Sequence, residues 1–80
     1  MYLMDYESLQ RKIQLIGQSV EILPVPLRVK NALNRNGVFK IEELLQYKDA
    51  EVKKFIGLGV NGYYLVTEAL LKLGLRLKGE

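Results

Sequence analysis

The stretch Lys53-Lys54-Phe55-Ile56-Gly57-Leu58-Gly59-Val60-Asn61-Gly62-Tyr63-Tyr64-Leu65 decides how this protein folds. A short helix is expected on its upstream side, from Ala50 to Ile56 with Asp49 as the N-cap. A longer, apolar-rich helix is expected downstream, from Asn61 to Leu73, stopped by Gly74. Gly57-Leu58-Gly59 lies between the two, where glycine supplies the left-handed backbone of a tight turn and Leu58 can plug the core beneath it. The spacing therefore predicts a helix-hairpin-helix. Two readings of the glycines stay open. Backbone N–H groups ahead of a helix attract an anion such as phosphate, or the glycines serve the turn alone; taken by itself, the motif favours the turn.

Working back from the hairpin, Lys40 to Tyr47 reads as a short helix with Ile41, Leu44 and Leu45 inward. Before it, Pro24-Val25-Pro26 marks a corner that no helix can cross. Pro26 suits the first position of a helix through Leu27 to Asn36, because its missing N–H would be unsatisfied there anyway, and Asn36-Gly37 ends that helix. Within it Val29 and Leu33 share the inner side, while Arg28, Asn31 and Arg35 follow one another at +3 and +4 on another face. The first segment puts Tyr2, Tyr6, Leu9, Ile13 and Ile16 on one narrow helical stripe ahead of Gly17. That stripe either packs back on the rest of the domain or forms a two-stranded seam with another molecule. Two heptads are short for an independent coiled coil, so packing at home and a monomer are expected.

No segment alternates long enough to make a strand. The fold class is thus all-α: a compact bundle of about five short helices with a helix-hairpin-helix core. Residues 1–17 form an N-terminal amphipathic helix and residues 18–80 the domain proper, with Leu33, Leu44, Leu58 and Leu70 as core positions.

Composition narrows the function. The protein has 80 residues with 49% apolar and 26% charged, enough for one core and one domain. It holds no Cys and no His, which removes disulfides, thiol nucleophiles and imidazole chemistry. Neither a metal site nor a cofactor site is expected, and an enzyme is not. Apolar runs are short, as in Tyr63 to Val66, far from the roughly 20 residues that span a bilayer, and the first residues lack the layout of a secretory signal. No membrane role and a cytoplasmic location are expected. Residues 1–17 carry two acids and two bases, so the net charge of +3 belongs to residues 18–80. Charge this mild permits nucleic-acid binding without arguing for it.

From Ser19 onward the order of motifs is more specific than any one of them. Ser19-Val20-Glu21-Ile22-Leu23, Leu27-Arg28-Val29-Lys30-Asn31-Ala32-Leu33-Asn34-Arg35, Ile41-Glu42-Glu43-Leu44-Leu45, Lys53-Lys54, Gly57-Leu58-Gly59 and Leu73-Gly74-Leu75-Arg76-Leu77 come in sequence. Over about residues 18–78 the protein resembles the C-terminal domain of the bacterial RNA polymerase α subunit. The resemblance implies a compact helical fold that binds the minor groove of A·T-rich DNA and also contacts proteins of the transcription machinery. It assigns the leading DNA contact to Arg28, support to Asn31, and a backbone contact with phosphate to Gly59. Lys30, Arg35, Gly57 and Asn61 complete the candidate DNA-binding set.

The sequence also departs from that pattern. Val60, Asn61 and Gly62 stand where the family usually has lysine and serine, Leu65 where it has an acid, and Ala32 where it has a small polar residue. A phosphate-neutralising lysine is therefore missing, so weak DNA binding is expected. Tyr63, Tyr64 and Leu65 form a candidate apolar patch for a protein partner. The alternative function is accordingly a protein-interaction domain, similar in size and layout to sterile-alpha-motif domains or bound to a component of the transcription machinery.

Overall fold

Residues 3–78 are described by the structure, a computed structural model. Five α-helices follow one another among them: α1 (Leu3–Ile16), α2 (Leu27–Arg35), α3 (Ile41–Leu44), α4 (Asp49–Lys53) and α5 (Gly59–Lys72). A 3-10 turn at Val20–Ile22 links the first two, and the Ser19 hydroxyl caps it by accepting the Glu21 N–H at 3.1 Å. Extended pairing among the described residues is confined to two isolated bridges, Ser19 with Lys40 and Lys48 with Lys78. The fold is all-α, as the periodicity predicts.

Every element after α1 sends apolar side chains into a single cluster. Val20 and Leu23, then Val29 and Leu33 of α2, Ile41 and Leu44 of α3, Val52 of α4, and Val66 and Leu70 of α5 are essentially without solvent contact. Burying a residue of this size contributes about 1.5–3 kcal/mol, and this burial has to offset the entropy of ordering the backbone. The four leucines expected in the core, Leu33, Leu44, Leu58 and Leu70, are all there. Leu75 and Leu77 close over them, because the end of α5 turns the tail back. There the Gly74 N–H donates to Leu71 O at 3.0 Å and the Leu75 N–H to Leu70 O at 2.8 Å. The end of α2 is closed in the same manner, with the Val38 N–H on Leu33 O at 2.9 Å.

Several boundaries differ from expectation. Pro26 stands at the N-cap of α2 in extended backbone, one position ahead of the helix. The helix at Lys40 to Tyr47 shrinks to Ile41–Leu44, since the N–H groups of Gln46 and Tyr47 fall back on carbonyls three residues away rather than four. Helix α4 stops at Lys53 instead of Ile56, and Lys48 rather than Asp49 holds its N-cap. Asp49 is the first helical residue, and its carboxylate accepts the Tyr63 hydroxyl at 2.6 Å from across the domain. Helix α5 begins at Gly59, two residues before the expected start.

The stripe on α1 is the largest correction. Tyr6, Leu9 and Ile13 are 53%, 47% and 50% exposed, so they do not pack back on the domain. Among the described side chains of α1, Leu15 and Ile16 alone reach the core, from the last turn of the helix, where α1 meets α3. Tyr2 lies outside the described residues. The expectation of a monomer rested on that burial and loses its basis with it. No helix among the described residues is long and apolar enough to cross a membrane.

Candidate nucleic-acid interface

Helix α2 is divided cleanly into two faces. Val29 and Leu33 are buried on one side, Arg28, Asn31 and Arg35 stand in solvent on the other, and buried Ala32 lies at the boundary. Together with Leu27, Ala32 and Gly57, these three residues line an open cleft of about 360 Å³. The hairpin thus reaches the polar face of α2, and a Cβ placed on Gly57 would stand 3.5 Å from Arg35 Nη1.

Asn36 joins the two walls of the cleft. Its side-chain Nδ2 donates to Ile56 O at 2.9 Å and to Ala32 O at 2.7 Å, while its Oδ1 accepts the Ile56 N–H at 3.1 Å. An amide paired on both its edges with the peptide groups around Ile56 holds the hairpin against the end of α2. The sequence marks Asn36 only as a helix stop. Nothing local distinguishes it from any other Asn-Gly terminator, because its partner lies 20 residues away.

The hairpin itself is built on left-handed glycines, Gly57 at φ +82° and Gly59 at φ +71°. Leu58 between them is 2% exposed and plugs the core as expected. A Cβ on Gly62 would come within 2.8 Å of Leu58 Cδ1 and 3.0 Å of its Cγ, so a bare backbone at that position lets α5 settle on the plug. The start of α5 has no side-chain cap, and its first N–H groups are open to an external acceptor.

The expected site residues do not all converge. Arg28, Asn31, Arg35 and Gly57 line the cleft; Gly59 and Asn61 are exposed at the start of α5 without lining it. Lys30, two positions from Arg28, lies on a different side of α2 and is half-buried. Arg28 is not consumed by a local ion pair. Among the described residues the one carboxylate within salt-bridge distance of a base is Glu68, 3.7 Å from Lys72. Glu43, an obvious candidate partner, instead accepts the backbone N–H groups of Lys40 and Phe39 at 2.8 and 3.0 Å, and these bonds hold its carboxyl below the usual range.

The candidate protein patch needs correction. Tyr63 is buried at 9% exposure rather than displayed, with its hydroxyl on Asp49 and the Lys53 ammonium 5.0 Å from the centre of its ring. The hydrogen bond to Asp49 is the main cause that pushes its phenol up to about 12. Leu65 is half-buried against the core, and only Tyr64 stands in solvent. The exposed apolar residues of α5 are Val60, Tyr64 and Leu71, a row at helical spacing that a contiguous triplet could not form.

Known proteins similar to this one agree with one another. The family of the C-terminal domain of the bacterial RNA polymerase alpha subunit matches residues 7–72, which extends the resemblance into α1. The DNA-directed RNA polymerase subunit alpha of Moorella thermoacetica is 35% identical over 67 residues, covering 84% of this chain and 21% of that protein. The subunits of the same description from Desulforamulus reducens and Desulforudis audaxviator are 31% and 33% identical over 71 residues, covering 89% of this chain and 22% of each. The sequence thus spans about a fifth of the length of these curated relatives.

Proposed function

The chain belongs to the family of bacterial RNA polymerase α C-terminal domains, and from that premise we propose that it is a transcription-linked DNA-binding module that docks α2 on the minor groove of A·T-rich duplex. The observation that carries the reading is the cleft: two guanidiniums and an amide, exposed on one helix face and free of carboxylate partners among the described residues, meet the glycine hairpin there.

Each part has a physical task. A narrow A·T-rich groove has enhanced negative potential, which draws the Arg28 guanidinium in. The Asn31 amide can donate to the A N3 and T O2 acceptors that line the groove floor. Arg35 and the open N–H groups of Gly59 and Asn61 suit flanking phosphates. Lys30 adds only to the general positive field. Val60 in place of a lysine leaves one phosphate without a cation, so binding is weak. The docking function is assigned to the domain that follows α1, with α1 as an appended helix; the role is one of binding without catalysis or cofactor, and the compartment is the bacterial cytoplasm.

Titration against A·T-rich and G·C-rich duplexes of equal length at two salt concentrations tests the proposal. We expect preference for the A·T-rich duplex and a log–log salt slope of about −2 to −4, since so small a domain neutralises few phosphates. Absence of binding even at low salt would move the function to a protein partner. One observation favours that second reading: the exposed row Val60, Tyr64 and Leu71 on α5, which suits a component of the transcription machinery.

A further inference from the structure

Tyr6, Leu9 and Ile13 of α1 are uncovered among the described residues, and we propose that this stripe pairs antiparallel with α1 of a second copy of this protein. Leu15 and Ile16 face the core of the domain, whereas Tyr6, Leu9 and Ile13 stand about half exposed along the helix that precedes them. The molecule measures 43 × 25 × 19 Å, elongated enough to present a helix for pairing outside the globule.

Spacing and charge identify the occupant. Apolar positions 6, 9 and 13, with Tyr2 before them in the sequence, repeat at intervals of 4 and 3, the spacing of a seam that another helix of the same repeat can fill. Both acids of the segment, Asp5 and Glu7, come before both bases, Arg11 and Lys12. A second α1 running the opposite way sets the acidic half of each helix beside the basic half of the other, and it also opposes the two helix dipoles. In the register that pairs Tyr6 with Leu9 of the second copy, the positions flanking the seam bring Asp5 of each copy beside Lys12 of the other. A parallel pairing sets Asp5 against Gln10 and Lys12 against Gly17 and forms no charge pair at those positions. Ile16, committed to the domain core, is not needed for this register.

The seam is short, so the dimer is weak and concentration-dependent, in the roughly micromolar range rather than nanomolar. It also places two DNA-docking faces in one particle, although its existence does not depend on that function.

Sedimentation equilibrium of the 80-residue protein over about two decades of concentration around the micromolar range reads the association directly. A monomer–dimer equilibrium is expected. Leu9→Glu, an exposed position outside the fold's core, should weaken it by at least tenfold while circular dichroism and melting temperature stay close to those of the parent. Lys12→Glu should weaken it too, and adding Asp5→Lys to Lys12→Glu should restore it. Because the sequence holds no cysteine, orientation can be read by disulfide trapping: a mixture of the Tyr6→Cys and Leu9→Cys variants should oxidise to the mixed pair in preference to either self-pair. A strict monomer throughout the range, a dimer that survives Leu9→Glu in the folded variant, or preferential Tyr6→Cys self-pairing would each overturn the proposal.

Discussion

Arg28 and Leu58 show two ways in which a single residue matters to this domain. Arg28 is exposed at the start of α2 and makes no ion pair among the described residues, so the fold does not depend on its charge. Arg28→Ala should therefore abolish or strongly reduce binding to A·T-rich DNA while the melting temperature changes little. Loss of stability with DNA affinity intact would assign the residue a structural role instead. Leu58 is the reverse case, a residue at the tip of an exposed hairpin that is itself only 2% exposed. Leu58→Ala should cost about 2–5 kcal/mol in chemical denaturation, the usual range for removing a buried leucine. A change below about half a kcal/mol, the level of an ordinary surface substitution, would show that it plugs nothing.

Between elements, Asn36 is the connection with the widest consequence. Its amide bonds to both sides of the backbone at Ile56, so it sets where Gly57 stands relative to Arg35. Asn36→Ala removes both bonds to Ile56; these groups are exposed and water can replace the lost partner, so about 0.5–1.5 kcal/mol of stability should be lost. DNA affinity should fall at the same time, although Asn36 does not line the cleft. A variant destabilised to this extent but unchanged in DNA titration at a temperature where it remains folded would show that the hairpin's position is irrelevant to binding. Element boundaries illustrate the same dependence on partners. Asp49 has the right chemistry for an N-cap and the sequence position to be one, yet its carboxylate is taken by the Tyr63 hydroxyl and the cap moves to Lys48.

At the scale of the whole molecule, stability should depend on pH at both extremes. Tyr63 has its phenol raised from 10.0 to about 12 by donating to Asp49, so the folded state favours the protonated form. The stabilisation is fully present below pH 10.0 and lost as pH rises through about 12. Glu43 is shifted the other way, below 4.5, by the backbone N–H groups of Lys40 and Phe39. Its contribution is present above pH 4.5 and is lost as pH falls through the lowered value. Thermal unfolding followed across pH should fall off at both ends, and Tyr63→Phe should flatten the alkaline limb alone. An unchanged alkaline limb in that variant would mean that the bond to Asp49 does not couple folding to ionisation.

The all-α class, the hairpin at Gly57-Leu58-Gly59, the core leucines and the exposed face of Arg28, Asn31 and Arg35 are all legible in the order of residues. Each depends on local chemistry: the 3.6-residue period, the breaking power of Pro24 and Pro26, and the left-handed backbone that Gly57 and Gly59 allow. Tertiary structure alone decided the rest. Tyr63, expected at the surface, lies buried because Asp49, 14 residues away, offers its hydroxyl a partner. Lys30 belongs with Arg28 by its charge and is separated from it by the turn of the helix. Tyr6, Leu9 and Ile13 have the pattern of a buried stripe but are left in solvent, because among the described residues α1 meets the core at its last turn. Periodicity states that a face must be apolar. Which surface covers that face depends on contacts between residues far apart in the sequence, and no local pattern encodes those.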